Sequence, residues 1–261
     1  NPSILMEILG YVGALFIGLV LGLTGGGGSI LTVPILVYLM SVSPVTATAY
    51  SLFIVGTTST FGAIQNYRKN LVDIKNGFIF AIPSFIAVYL TRKFIVLRIP
   101  EIIIESPILI TKNTFLMLFF AVIMIFGALS VLKKKSQDTN NEEKRNLILI
   151  GIQTFTIGII IGLVGAGGGF LIIPSLILFA KLPMRKAVGT SLFIIAMNSL
   201  VGFIGDVQNL EIDWLFLLTF SAISVVGIFI GMYLTKYTNE SQLKKIFAYF
   251  VLVMAAIILL K

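Results

Sequence analysis

The chain consists of long apolar stretches separated by short polar segments, a pattern typical of a polytopic membrane protein. The apolar stretches cover residues 4–23, 29–40, 45–65, 76–97, 108–132, 147–164, 170–180, 187–204, 214–235 and 243–260. A helix needs about 20 residues to cross the hydrocarbon core of a bilayer. Most of the stretches therefore predict spanning helices, whereas 29–40 and 170–180 are too short and predict half-spanning ones.

Composition agrees with a membrane environment. Hydrophobic residues make up 57% of the chain and charged residues 11%, and the mean hydropathy is +1.05. A soluble domain carries about 25% charged residues, so an ordinary water-facing surface is excluded. The net charge of +8 does not indicate nucleic-acid binding, because the cations lie in short loops, where they set membrane orientation. No cleavable signal peptide is expected, since Glu7 rather than a basic patch precedes the first apolar run.

An internal repeat relates the two halves of the chain. Residues 17–62 recur at an offset of 140 as residues 157–202, and 17 of these 46 positions are identical. Each copy interrupts an apolar run with small residues, which are Gly25, Gly26, Gly27, Gly28 and Ser29 in the first copy and Gly165, Ala166, Gly167, Gly168 and Gly169 in the second. Two related halves with interrupted helices at membrane depth are typical of secondary transporters.

Loop charge predicts that the halves are inverted relative to each other. The loop at 181–186 holds three cations, and its counterpart at 41–46 holds none. The loop at 65–75 also holds three cations, and its counterpart at 205–213 holds none. By the positive-inside rule, equivalent loops then lie on opposite sides of the membrane. This assignment puts four loops in the cytoplasm, at 65–75, 133–146, 181–186 and 236–245.

The predicted fold is an all-α polytopic membrane protein with two inverted-topology repeats of about five helical segments each and glycine-broken helices. Residues 1–132 form the first transmembrane repeat, 133–146 a polar cytoplasmic linker, and 147–261 the second repeat. One loop disagrees with the charge assignment, because 92–107 is placed outside although it contains three cations, Arg92, Lys93 and Arg98.

The two glycine breaks predict an anion site. Glycine lets a ligand approach the backbone closely, and the free amides and positive dipole end at a helix start attract anions. Residues 25–29 and 165–169 would supply these amides, with Ser29 capping the following helix. An alternative is tight helix packing through small residues, which we favour for four other glycines, Gly18, Gly22, Gly158 and Gly162.

Four polar residues in the third and eighth segments complete the predicted substrate site. Ser51 and Thr58 lie seven residues apart on one helix face, and Ser191 and Asn198 do the same in the second half. Hydroxyls and a carboxamide can donate hydrogen bonds to an oxyanion while remaining neutral. In the alternative interpretation, each hydroxyl bonds back to a carbonyl of its own helix or across to a neighbouring helix.

Catalytic and metal chemistry have no candidate residues. The chain has no cysteine and no histidine, and no acidic or basic residue is expected inside a segment away from its ends, Glu7 excepted. We therefore expect no enzyme, metal site or cofactor. A channel is a further alternative, although a charged filter is missing. The acids available at segment edges are Glu7, Asp73, Asp206 and Asp213, and helix capping is the favoured role of Asp73 and Asp213.

The paired glycine breaks, each followed by a proline (Pro34 and Pro174), and the Ser-Leu-Phe-Ile elements at 51–54 and 191–194 resemble the TauE/SafE family of sulfite exporters, also called the TSUP family. The resemblance covers the whole chain. It implies export of sulfur-containing anions such as sulfite or sulfonates across a bacterial cytoplasmic (inner) membrane. A transporter for a non-sulfur carboxylate is the other possibility. The expected partners are a small anionic substrate and membrane lipid, without nucleic acid.

Overall fold

The computed structural model describes residues 2–100, 102–104, 110–111, 147–164, 169–207 and 210–259, together with scattered positions between 114 and 129. The helices are α1 (Pro2–Thr24), α2 (Gly28–Tyr38), α3 (Pro44–Arg68), α4 (Ile74–Leu90), α5 (Leu147–Val164), α6 (Gly169–Leu178), α7 (Met184–Val207), α8 (Trp214–Leu234) and α9 (Glu240–Leu259). A π-helix (Thr91–Ile95) and a 3-10 turn (Val96–Arg98) extend α4, and a second 3-10 turn (Thr235–Tyr237) extends α8.

Most predicted segments agree with the observed helices to within about three residues. The segment predicted to begin at 108 is wrong at its start, because β1 (Ile102–Ile104) pairs antiparallel with β2 (Ile110–Thr111). These strands are rich in isoleucine, whose branched Cβ favours extended backbone. The described positions between 114 and 129 are helical.

Four helices in the described part are long and apolar enough to cross a membrane, at Met6–Thr24, Ile74–Ile95, Met184–Val207 and Trp214–Tyr237. Helix α3 is equally long, with 25 residues, but its many hydroxyls make it more polar. Burial differs sharply among the four, since 72% of the α7 span lies inside the protein against 39–44% of the others. Helix α7 is therefore central, and the other three present apolar faces to lipid.

Helices from opposite halves pack in pairs. Helix α1 runs parallel to α8, because Gly18 faces Ser224 and Gly22 faces Ile228. Helix α5 runs parallel to α4 in the same manner. The remaining pair, α3 and α7, is antiparallel, because Gly62 faces Leu192 whereas Leu52 faces Gly202. Each of these three pairs thus joins one helix of the first half to one helix of the second half.

A contact that the first half makes with the second recurs, at the offset of 140, as a contact that the second half makes with the first. The backbone amide of Asp73 donates to the Thr190 hydroxyl at 2.9 Å, and the amide of Asp213 donates to the Tyr50 hydroxyl at 2.8 Å. At the start of α4 and of α8, the aspartate side chain also caps the helix. Its Oδ1 accepts a hydrogen bond from the backbone amide three residues later, at 3.0 Å in both cases. The capping role predicted for Asp73 and Asp213 is confirmed.

Candidate functional site

The first glycine break is a tight, hydrogen-bonded turn between α1 and α2. Gly25 has a φ of +72°, a left-handed conformation that glycine adopts without steric cost. Its amide donates to the Leu21 carbonyl at 2.7 Å, and the amide of Gly27 donates to the Thr24 hydroxyl at 3.0 Å. Two of the amides that were predicted to bind an anion are therefore hydrogen-bonded within the protein in this conformation.

The break packs directly against the second half. A Cβ on Gly26 would overlap the backbone of Gly169, and a Cβ on Gly169 would overlap Gly26. A Cβ on Gly28 would overlap the Ile17 carbonyl in the preceding helix. The starts of α2 and α6 consequently meet, as the repeat predicted. Four predicted site residues of the second break, Gly165, Ala166, Gly167 and Gly168, lie outside the described residues.

The prediction that Ser29 caps the helix after the first break is wrong. Helix α2 begins at Gly28, one residue before Ser29. Its N-cap is Gly27, which makes no side-chain capping bond. The Ser29 hydroxyl instead donates back to the Gly26 carbonyl at 2.6 Å. A serine inside the first turn points its hydroxyl back along the helix, so it closes the turn rather than caps it.

The glycines spaced by four serve close helix packing, as favoured from the sequence. A Cβ on Gly18 would overlap the Ser224 carbonyl, and a Cβ on its counterpart Gly158 would overlap the Ser84 carbonyl. Gly22 and Gly162 make equivalent close approaches to α8 and to α4 with its π-helical extension. Small residues here bring the helix axes close together.

A row of buried polar side chains without hydrogen-bond partners runs between α3 and α7. The hydroxyls of Ser51, Thr58, Ser59 and Ser199 and the Asn198 amide nitrogen have no partner among the described residues. All five of these residues are completely buried. Buried polar groups in native proteins are normally paired with protein or water, so this row is where a polar solute or water would gain hydrogen bonds.

The hydroxyls of Thr91, Ser221 and Ser224 are also buried without a partner among the described residues. Many other hydroxyls in the helices behave differently. They bond back to a carbonyl of their own helix at 2.6–2.9 Å, as at Thr24, Thr60, Ser84, Thr154, Ser175 and Thr219. Back-bonding is the ordinary fate of a serine or threonine inside a helix. Ser51, Thr58, Ser59 and Ser199 depart from it, and their hydroxyls remain available to a ligand.

The predicted polar site residues divide into two kinds. Ser51 and Thr58 keep unpartnered hydroxyls, and Asn198 uses only its carbonyl oxygen, which accepts from Ser84 at 3.0 Å. Ser191 is different, because its hydroxyl contacts the Gly25 carbonyl at 2.7 Å and the Val188 carbonyl at 2.8 Å. Ser191 therefore joins α7 to the first glycine break.

A cavity of about 120 Å³ opens at one end of the α3–α7 pair, well above the space that one water needs. Its inner wall contains Gly22, Asn66, Val188 and Met232, and its outer part contains the three cations Lys69, Arg185 and Lys236. These cations come from the three described loops that were assigned to the cytoplasm. None of them forms an ion pair within the described part of the chain.

A buried ion pair lies at the other end. The Arg92 guanidinium is 1% exposed, and its Nε lies 3.6 Å from Oδ2 of Asp206 in α7. Its Nη1 donates to the Thr48 hydroxyl at 3.2 Å. Thr48 and the cavity residue Asn66 are 18 residues apart on α3, which at 1.5 Å per residue is about 27 Å. The two ends are thus separated by nearly the thickness of the hydrocarbon core.

Arg92 and Asp206 lie near the ends of their spans, where charges were expected, but both are buried. Both belong to helical spans rather than to loops, because α4 continues as a π-helix through Ile95 and α7 continues to Val207. The charge pattern did contain a signal, since Arg92 was one of the cations that made loop 92–107 disagree with the positive-inside rule. With Arg92 buried, that loop keeps two cations, Lys93 and Arg98, against two acids, Glu101 and Glu105.

Chemically, the buried polar groups of α3 and α7 offer neutral hydrogen-bond donors to a small polar solute. Three cations lie at one end of this helix pair and a charged pair lies at the other end. Among the described residues, no group of three or more His, Cys, Asp or Glu side chains is placed to hold a metal ion.

Comparison with known proteins gives the family. The sequence profile described as "Sulfite exporter TauE/SafE" matches residues 11–258. A "Probable membrane transporter protein" of Xylella fastidiosa (strain 9a5c) is 26% identical over 246 residues, covering 92% of this chain and 89% of the relative. The "Probable membrane transporter protein YunE" of Bacillus subtilis (strain 168) is 27% identical, covering 82% of each chain. No solved structure gives a significant match. The chain therefore belongs to the TauE/SafE family and is a multi-pass membrane transporter of that type.

Proposed function

We propose that this protein is a secondary transporter for small sulfur-containing anions, such as sulfite or sulfonates, and that it exports them across the bacterial cytoplasmic membrane. The observation that carries the proposal is the row of buried, unpartnered polar groups at Ser51, Thr58, Ser59, Asn198 and Ser199. Neutral donors of this kind can replace part of the hydration of an oxyanion inside the bilayer.

Alternating access of two inverted repeats is the mechanism that the contacts support. Helices α3 and α7 are equivalent at the offset of 140, yet they run antiparallel, as inverted repeats require. The paired contacts Asp73–Thr190 and Asp213–Tyr50 exchange the halves, which is the signature of a twofold axis between them. Rocking of one half against the other would open the two ends in turn.

An anionic substrate is favoured by the charges at the two ends. The cavity carries Lys69, Arg185 and Lys236 without an acidic residue in its lining, and such a cluster raises the local concentration of anions. The matching family is one of sulfite exporters, which supports sulfite and its relatives as the anions to test first.

Export is supported as the direction by the family description, sulfite exporter. The cavity lies at the end assigned to the cytoplasm, where an exported substrate would bind first. The Arg92–Asp206 pair lies at the opposite end. The first glycine break is packed in this conformation, so we infer that its amides reach the substrate only when the starts of α2 and α6 separate. The same inference applies to the second break.

The test is sulfite flux in proteoliposomes made with purified protein. We expect saturable uptake, competition by taurine or another sulfonate, and counterflow from vesicles preloaded with sulfite. Acetate and other short carboxylates serve as competitors that distinguish a carboxylate transporter. Flux that rises linearly with concentration and shows no counterflow would indicate a channel and contradict the proposal.

The proposed orientation has a separate test, because the chain lacks cysteine. Ser241→Cys and Glu211→Cys place single thiols at exposed positions, on loops assigned to the cytoplasm and to the outside. We expect an impermeant maleimide to label only Glu211→Cys in intact cells and both variants in lysed cells. Equal labelling of both in intact cells would contradict the inverted arrangement.

A further inference from the structure

The Arg92 guanidinium is buried without being fully satisfied. It is 1% exposed, and only Nη1 has a hydrogen-bond acceptor, the Thr48 hydroxyl at 3.2 Å. Nε and Nη2 have no hydrogen-bond partner among the described residues, and neither does Oδ2 of Asp206. The distance of 3.6 Å between Nε and Oδ2 is an ion-pair contact and is longer than a hydrogen bond.

The counterpart of this pair shows that its charges are not needed for packing. At the offset of 140, Arg92 corresponds to Met232 and Asp206 corresponds to Asn66. Asn66 and Met232 are likewise in contact, with Nδ2 of Asn66 lying 3.3 Å from the Met232 sulfur. The same junction between helices is therefore made at the other end by a neutral pair. A buried ion pair is weak evidence for stability in general, so the charges at the Arg92 end need another explanation.

The position of Arg92 supplies that explanation. Thr48, which contacts the guanidinium, lies one helical turn from Ser51, the first of the unpartnered hydroxyls on α3. On α7, Asp206 lies seven residues after Ser199 and so shares its face. The row of free polar groups thus comes within one to two helical turns of the ion pair. An anion that followed this row toward the far end would arrive at the guanidinium.

We propose that Arg92 is an oxyanion-binding site in the far half of the transport path, and that the Asp206 carboxylate occupies this site until substrate displaces it. Nε and Nη2 form one edge of the guanidinium, which matches two oxygens of a sulfite, sulfonate or carboxylate group. The Asp206 carboxylate is itself an oxyanion, so it competes with the substrate for the Arg92 guanidinium. Exchange of one anion for the other would break the Arg92–Asp206 contact and release the end that it closes.

The proposal rests on the transport function proposed above, and binding measurements test it separately from flux. Affinity for sulfite, ethanesulfonate and sulfate is measured by titration calorimetry on purified protein in detergent. The variants are Arg92→Met, Asp206→Asn and the double variant Arg92→Met/Asp206→Asn, which reproduces the Asn66–Met232 pair of the other end. Lys93→Gln is the matched control, because Lys93 is an exposed cation one residue away whose Nζ contacts the Tyr89 and Phe94 side chains.

We expect opposite effects of the two single changes. Asp206→Asn removes the competitor and should tighten the binding of an oxyanion by about tenfold, whereas Arg92→Met should weaken it by about ten- to hundredfold. The double variant should fold normally, because its neutral pair has a precedent in the chain, and should bind as weakly as Arg92→Met. Lys93→Gln should bind as the wild type does.

A purely structural ion pair gives a different pattern. In that case the double variant recovers the wild-type affinity, which would overturn the proposal while leaving sulfite flux by the wild type intact. Failure of all three anions to bind both the wild type and Asp206→Asn would overturn it as well. If the wild type transports no sulfite but Asp206→Asn binds an oxyanion through Arg92, the choice of substrate fails and the Arg92 site stands.

Discussion

The two ends of the α3–α7 pair use the same backbone junction with different side chains. At one end Asp206 and Arg92 form a charged pair beside Thr48. At the other end Asn66 and Met232 form a neutral pair beside Val188, next to a cavity with three cations. The residues of the two pairs are equivalent at the offset of 140, and their chemistry differs.

This difference indicates how a duplicated fold can give a transport cycle a direction. A neutral contact between an amide and a thioether is weak and leaves room for a solute, whereas a charged pair in a low dielectric resists separation until another anion replaces its carboxylate. Under the proposed mechanism, the side chains at 66, 92, 206 and 232 would decide which end opens more readily.

The largest expected effect comes from removing one partner of the Arg92–Asp206 pair, which leaves the other charge buried without a partner. Arg92→Met should lower the free energy of unfolding by about 3–5 kcal/mol, because Asp206 remains buried and unpaired. Met232→Leu at the equivalent position should cost less than about 1.5 kcal/mol, since volume and polarity are conserved. Chemical unfolding in detergent micelles measures both. Equal costs at the two ends would show that the charge asymmetry has no energetic consequence.

The junction between the halves is the next most sensitive point. Gly25→Ala should destabilise the protein by about 2–4 kcal/mol, because it combines a left-handed backbone with a Cβ only 2.8 Å from the Val188 Cα. Gly151→Ala is the matched control, since a Cβ there meets nothing within 4 Å. Thermal unfolding and sulfite flux are measured on both. A fully active Gly25→Ala protein would mean that the turn has no part in transport.

Ser191 and Ser51 sharpen the comparison, because they are equivalent residues with different partners. Ser191→Ala should cost about 1–3 kcal/mol of stability, since the Gly25 carbonyl loses its donor. Ser51→Ala should leave stability nearly unchanged because its hydroxyl has no described partner, yet it should weaken substrate affinity by a similar 1–3 kcal/mol. Unfolding and calorimetric titration separate the two effects. Unchanged affinity in Ser51→Ala would remove this residue from the site.

The smallest expected effect lies at the cavity mouth. Lys69→Gln should lower the initial rate of sulfite entry from the cavity side by about twofold at low ionic strength, because the cation steers anions toward the opening. The difference should vanish at high salt, where the Debye length falls to about 3 Å at 1 M. Lys93→Gln, an exposed cation near the other end, should leave that rate unchanged. A salt-independent loss in Lys69→Gln would indicate a structural defect instead of steering.

The sequence predicted most of the helices. Hydropathy located α1, α3, α4, α7 and α8 because a lipid-exposed helix must be apolar along its length. It failed at residues 102–111, where isoleucine-rich segments pair as strands, since apolar composition alone does not distinguish a buried strand from a helix. The repeat singled out Ser51, Thr58, Ser191 and Asn198, and all four are completely buried.

The partners of those residues could not be predicted. Ser51 and Ser191 occupy identical sequence contexts, Ser-Leu-Phe-Ile, and still one hydroxyl contacts a carbonyl of the glycine break while the other has no described partner. Arg92 looked like a loop cation, because a charge near the end of an apolar run ordinarily lies at the membrane surface. Its burial depends on Asp206 and Thr48, which are distant in the sequence.

By itself, the sequence determined that this chain is a duplicated, helical membrane protein with glycine-broken helices in each half, because periodicity, length and repetition are local properties of the chain. Only the tertiary structure decided that the glycines of the two halves touch at Gly26 and Gly169, that Arg92 is paired inside the protein and that the cations of three loops share one cavity. The physical reason is that electrostatic and hydrogen-bond energies depend on which groups meet and how far they lie from water. That information arises only when helices of the two halves pack together.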